Sequence, residues 1–147
     1  MPLATDATYE TDFYTWAQRQ GTLLRAGRFN EIDRDNIAEE IESLGRREFD
    51  KLVNAYRSIV LHMLLCDYEL RYSTRSRAIS IDQHRIDAAY ALSDNPGLRV
   101  RQPEALERAY RTARYEAAIA VDRPVPTFSE ANSYTLDDIL ERPFPYN

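Results

Sequence analysis

At 147 residues the chain has the length of about one domain, and its 44% hydrophobic and 29% charged content is that of a folded globular protein, which excludes disorder over most of its length. Nineteen basic against 24 acidic residues leave a net charge of -5, which opposes general attachment to nucleic acid or to an acidic membrane. No run reaches the ~18 apolar residues of a membrane span, MPLATDATYETDF lacks the basic leader and apolar run of a secretory signal, and Cys66 is a single cysteine that cannot staple its own chain, so a cytoplasmic, reducing setting is expected.

The first predicted helix covers about residues 9–26. Thr8 or Thr11 can cap it, Asp12 lies in its first turns, and Phe13, Trp16, Ala17, Leu23 and Leu24 form an imperfect apolar face. Gly27 follows LLRA where a left-handed C-cap fits.

The strongest helical signal comes next. Asp33 or Asp35 can cap it, and Ile37, Ile41, Leu44, Glu48, Leu52, Tyr56, Ile59 and Met63 recur at three- and four-residue steps. If Gly45 is absorbed, this helix runs to about Tyr68 and is roughly 50 Å long; a bend at Gly45 is the alternative. Val60, Leu64 and Leu65 widen the apolar stripe, so the core is expected around the C-terminal half.

Polar RYSTRSR then predicts a solvated connection before a helix at about 80–92, capped by Ser80 and facing inward through Ile81, Ile86, Ala89 and Tyr90. DNPG is a turn signal, after which Pro103 suits the start of a helix whose packing face is Leu106, Ala109, Tyr110, Ala113, Ala117 and Val121. Residues 122–133 read as a linker crossing the surface. TLDDILE supplies a final short helix with Thr135 and Asp138 in a capping arrangement, and the prolines of RPFPYN extend the end. The expected fold is therefore all-α: a compact bundle of about four main helices plus a short C-terminal helix, in one domain over residues 1–147 with mobile termini.

Glu39, Glu40 and Glu42 are the first candidates for chemistry, because helical metal sites draw carboxylates from facing helices. Glu39, Glu42 and Glu48 are the candidate metal ligands and Glu40 a catalytic carboxylate. The simpler reading is a solvated face balanced by Arg46 and Arg47, with Glu42 and Arg46 at four-residue spacing, and a rim position or arginine pair for Glu48. His62 has the titration range of a general base and can also serve as a ligand, yet 22 positions along one helix would separate it from Glu40 by roughly 33 Å. A hydrogen-bonded structural role is the bland alternative for His62 and for His84. Cys66, four residues after His62, is a candidate nucleophile and equally a buried small hydrophobe.

Arg71, Arg75 and Arg77 offer a short phosphate-contact patch, weighed against a solvated inter-helix connection. Trp16, Tyr56, Tyr90 and Tyr110 are the expected packing or protein-contact residues, and the buried hydroxyls among them need partners, for which a tyrosine–glutamate–arginine network would serve. CxxC, GxSxG, GxxxxGKS and GxGxxG motifs do not occur, and the sequence identifies no cofactor.

The order YETDFYTWAQRQGTLLRAGRFNEIDRDNIAEEIESLGRREFDKL, continued by LVNAYRSIVLHMLL, SIDQHRI, DNPGLR and SYTLDDIL, resembles an uncharacterised bacterial family, domain of unknown function 29, over nearly the whole chain. Trp16, Leu24, the run Glu39 to Glu42, Leu44, Gly45, His62, Ile81, Ile86, Asn95 and Pro96 match its pattern. Leu65, Cys66 and Arg77 depart from it, standing where or near where members often carry a basic residue and tryptophans. The resemblance implies a predominantly helical domain and no established reaction. Two functions are expected on this footing: a helical protein-interaction or regulatory module, with a protein partner or a second copy of itself, and, alternatively, a metal-dependent hydrolase or phosphate-processing enzyme.

Overall fold

The computed structural model describes residues 7–144. The mobility expected of the termini concerns residues 1–6 and 145–147, which lie outside the described residues. Among those described there is no β-strand, and the protein is all-α: α1 (Phe13–Arg25), α2 (Arg34–Tyr68), α3 (Arg75–Asp94), α4 (Gln102–Val121) and the short C-terminal α5 (Leu136–Glu141). Two compact units divide the chain, one ending at Arg46 and the other beginning at Arg47.

In the first unit, α1 starts four residues later than its periodicity suggests. Thr8 and Thr11 each accept a hydrogen bond from the other's backbone N–H, at 3.2 and 3.0 Å, which closes a turn instead of opening a helix. Asp12 becomes the N-cap, its carboxylate accepting from Thr15 N at 3.0 Å. The expected stop at Gly27 is present: with φ at 71°, Gly27 donates to Leu24 O at 3.1 Å and Arg28 to Leu23 O at 3.0 Å, a Schellman closure. Asp33 then ties the unit together. Its backbone N–H donates to buried Gln20 Oε1 (2.7 Å), its carbonyl accepts from Ile37 N (3.0 Å), and its carboxylate accepts from Asn36 Nδ2 (2.9 Å) and from the indole N–H of buried Trp16 (3.0 Å).

Helix α2 passes through Gly45 without ending, as the first of the two expected alternatives had it. Its apolar stripe divides in burial. Leu52, Tyr56, Ile59 and Met63 are inaccessible to solvent, whereas Ile41 and Leu44, expected on the same inward face, are 63% and 57% exposed. Within the first unit, α1 and the segment before it engage α2 at Asp33 and Glu40, and each residue step turns a helix by about 100°, so Ile41 projects to the side of that contact.

In the second unit, a 3-10 turn (Leu70–Tyr72) joins α2 to α3. Helix α3 begins at Arg75, five residues before the position expected from Ser80. Thr74 is the competing cap that prevails, its hydroxyl accepting from Arg77 N at 3.2 Å. The two helices run antiparallel: Asn95 after the end of α3 donates to Glu48 at 3.1 Å, and Arg77 near its start meets His62 at 3.1 Å. The buried face of α3 is Ala78, Ile81, Ala88, Ala91 and Leu92. Ile86, Ala89 and Tyr90, expected inward, are exposed, because a five-residue step from Ile81 rotates Ile86 by about 140°.

Helix α4 buries every residue of its expected packing face, and Ala105, Ala109, Ala113 and Ala117 let its neighbours approach closely. Tyr56 and Tyr110 are buried as expected, with their hydroxyls satisfied: Gln102 Nε2 donates to Tyr56 at 2.8 Å, and Tyr110 donates to Ser129 O at 2.5 Å. Phe49 is covered by the guanidinium groups of Arg101 at 3.7 Å and Arg108 at 5.2 Å from its ring centre. Each fully buried aliphatic side chain of this core contributes about 1.5–3 kcal/mol.

The 122–133 linker is not purely superficial. Phe128 inserts into the core and meets Tyr68 with ring centres 5.5 Å apart. Helix α5 starts with the expected capping box of Thr135 and Asp138. Its orphan C-terminal carbonyls are satisfied from α3, where Arg85 donates to Ile139 O (2.7 Å), Asp138 O (3.3 Å) and Arg142 O (2.8 Å). Asp67 on α2 takes both Arg142 in a bidentate pair and the Tyr134 hydroxyl at 2.7 Å. The buried hydroxyls of Tyr56 and Tyr110 are thus met by Gln102 and a backbone carbonyl, while the tyrosine–carboxylate–arginine grouping forms in a partly exposed place and on an aspartate, as Tyr134, Asp67 and Arg142.

Candidate functional site

The richest set of titratable groups lies on the seam between α2 and α3. Arginine is always a donor, so the 3.1 Å contact between Arg77 Nη1 and His62 Nδ1 makes that ring nitrogen the acceptor and places the proton of neutral His62 on Nε2. The His62 ring stacks on that of His84, with centres 6.5 Å apart and planes 16° from parallel. His84 Nδ1 in turn meets Asp87 Oδ2 at 3.2 Å. Burial pushes the His62 pKa below its ordinary value, and the positive charge of Arg77 and the nearby His84 act in the same direction.

One turn further along α2, Cys66 is half-buried and donates weakly to Tyr72 O at 3.8 Å. Burial holds its thiol above the usual range, against the partial opposition of Arg77, so the thiolate needed for nucleophilic attack is disfavoured. On the other side of His84 a groove of about 530 Å³ opens between the helices. Its lining is largely polar, with Glu48, Lys51 and Arg57 from α2 and Asp87 and Asp94 from α3 beside the smaller Ala55 and Ala91.

The carboxylates singled out from the sequence are engaged by basic and polar side chains, two of them by one arginine. Glu40 accepts from the Tyr9 hydroxyl at 2.5 Å in the first unit, Glu39 pairs with Arg46 at 2.6 Å, and Glu42 reaches the same arginine at 3.9 Å. Glu48, in the second unit, pairs with Lys51 at 2.7 Å and accepts from Asn95. Among the described residues, no group of three or more histidine, cysteine, aspartate or glutamate side chains converges as a metal-ion ligand set. The arginines also have individual roles. Arg71 pairs with Glu69 at 2.8 Å, Arg71 and Arg77 lie over the Tyr72 ring at 4.9 and 5.9 Å, and Arg75 is exposed in the first turn of α3. Of the aromatic candidates, Trp16, Tyr56 and Tyr110 are packing residues and Tyr90 is 66% exposed.

The family model described as Domain of unknown function DUF29 matches residues 8–145. The chain belongs to this family. Comparison with curated proteins and with solved structures gives no match. None of the described helices of this DUF29 domain is long and apolar enough to cross a membrane.

Sequence reasoning singled out His62 and Arg77 for different roles and missed that they meet. Asp87 was missed altogether. The signal that would have joined them is the hairpin itself, since an antiparallel pair turning at Leu70–Tyr72 places the end of α2 beside the start of α3.

Proposed function

We propose that this DUF29 domain is a helical protein-interaction module that presents the outer face of α3 to a protein partner. The observation that carries this reading is a second apolar line on that helix. Ile79, Ile86 and Tyr90 follow one another at steps of seven and four residues, and they are 53%, 50% and 66% exposed. They lie on the side of α3 opposite the buried Ile81, Ala88 and Leu92. A helix that already buries one face has no folding need for apolar residues on the other, whereas a binding surface does. Tyrosine at the end of the line suits such a contact, combining a large ring with a polar tip at low entropic cost.

Sedimentation of the purified chain, together with capture of partners on the immobilised protein, tests the reading when wild type is compared with Ile86→Glu. The expected outcome is association that weakens about tenfold or more in the variant, with the helical circular dichroism unchanged. A wild-type chain that stays monomeric and captures nothing would overturn it. So would an Ile86→Glu chain that associates as wild type does.

A further inference from the structure

We propose that the His62–Arg77 contact is a pH-sensitive lock on the start of α3: proton uptake by His62 releases Arg77 and loosens the first turn of that helix from α2. The argument is one of donors and acceptors. Neutral His62 has a single ring acceptor, Nδ1, and Arg77 occupies it at 3.1 Å. A proton from solvent can bind the ring only at that nitrogen, which converts the acceptor into a donor and leaves two cations, each with nothing to accept from the other. The bond is therefore available to one protonation state only.

The surroundings offer the imidazolium no compensation. On α3, the groups that act on His62 are Arg77 and His84, both basic, and the carboxylate nearest in this chain of contacts, Asp87, is engaged by His84. On α2 itself, the neighbouring Cys66 thiol is kept neutral by burial, and Asp67 is committed to Arg142 and Tyr134. In the connecting turn, Tyr72 carries its ring beneath Arg71 and Arg77. Among the described residues no carboxylate bears on the His62 ring, so protonation adds a positive charge to an already positive cluster.

Only the first turn of α3 depends on this contact. Deeper along the helix, Ile81 and Ala88 are fully buried and hold α3 in place, while from the turn side the Arg77 side chain meets the face of Tyr72 and its backbone N–H donates to the Thr74 cap. Loosening is thus confined to the stretch from Arg75 to Ala78, and it proceeds without unfolding the core. The lock stands independently of the proposed contact role of the outer face.

Amide hydrogen exchange at Arg77 and Ala78, whose N–H groups donate to the hydroxyl and the carbonyl of Thr74, is corrected for the intrinsic effect of pH and measured beside NMR titration of the protein's two histidine rings. In wild type the protection of these amides is expected to fall in step with the titration of His62, which occurs below the value of free histidine. His62→Gln keeps an acceptor on the side chain but has no proton to gain, and the step disappears while the protein remains folded. Arg77→Met moves the His62 titration up toward that of free histidine and removes the same step. Three outcomes would overturn the lock: a His62 titration unmoved by Arg77→Met, a step that persists in His62→Gln, or wild-type protection that is flat through the His62 titration.

Discussion

A histidine hydrogen-bonded by arginine loses its acceptor when it takes up a proton, and His62 stands in that position against Arg77. For His62 the consequence for stability has a definite sign. Its pKa is depressed in the folded state by burial, with Arg77 and His84 adding to the effect, while in the unfolded chain it titrates near 6.5. As the pH falls below 6.5, the unfolded chain takes up a proton that the folded one refuses, so His62 withdraws stability from there down to its folded-state pKa and has no effect above. Denaturant unfolding of wild type is expected to show midpoints declining through that window, with a shallower decline in His62→Gln; parallel pH profiles would show that the ring is not strained by its neighbours. The residues themselves could be picked from the sequence as titratable, but not the partnership. Spacing along a helix says which groups share a face of that helix and nothing about the register in which a second helix lies against it, so from sequence Arg77 reads as a phosphate contact.

Helices whose apolar residues fall on one face were predicted most accurately. Helix α4 was read with its face intact because Leu106, Ala109, Tyr110, Ala113, Ala117 and Val121 keep to three- and four-residue steps and nothing apolar competes except the exposed Ile119 and Tyr115. Helix α3 was misread at its start and along its face for two physical reasons: Thr74 and Ser80 are both competent caps, and two apolar lines on opposite sides blur the periodicity. Glycines give a test at this scale. Gly45 is helical with open space where a Cβ would stand, so Gly45→Ala should raise stability by about 0.5–1 kcal/mol. Gly27 also has open space, but its φ of 71° strains any L side chain, so Gly27→Ala should lower stability by about 1 kcal/mol. Thermal melts of the two variants should move in opposite directions, and a shift of the same sign in both would contradict the helix and C-cap assignments.

The two units differ in how much apolar surface they remove from water. Among the described residues up to Arg46 only Trp16, Gln20 and Leu23 are buried, whereas the second unit centres on a continuous cluster from Phe49 to Ile139. Few buried contacts mean a low local opening free energy. Since Trp16 is the chain's single tryptophan, its fluorescence reports on the first unit while far-ultraviolet circular dichroism is dominated by the second. Fluorescence should therefore change at lower urea concentration than ellipticity does; coincident transitions would mean that the chain unfolds as one cooperative body. That the chain is helical and that its core centres on the second half of α2 were both readable from its wide apolar stripe, but the contrast in burial was not, because Ile41 and Leu44 look the same in sequence as Leu52 and Ile59. The fastening of α5 carries a kinetic implication of its own. Asp67 and Arg142 are 75 residues apart, so their union closes a long loop and must await synthesis as far as Arg142. On a ribosome, α2, α3 and α4 emerge before the side chains of Ile139 and Arg142 exist to cover and clamp them, and the nascent domain passes through an open-cored stage that ends only when its last short helix is made.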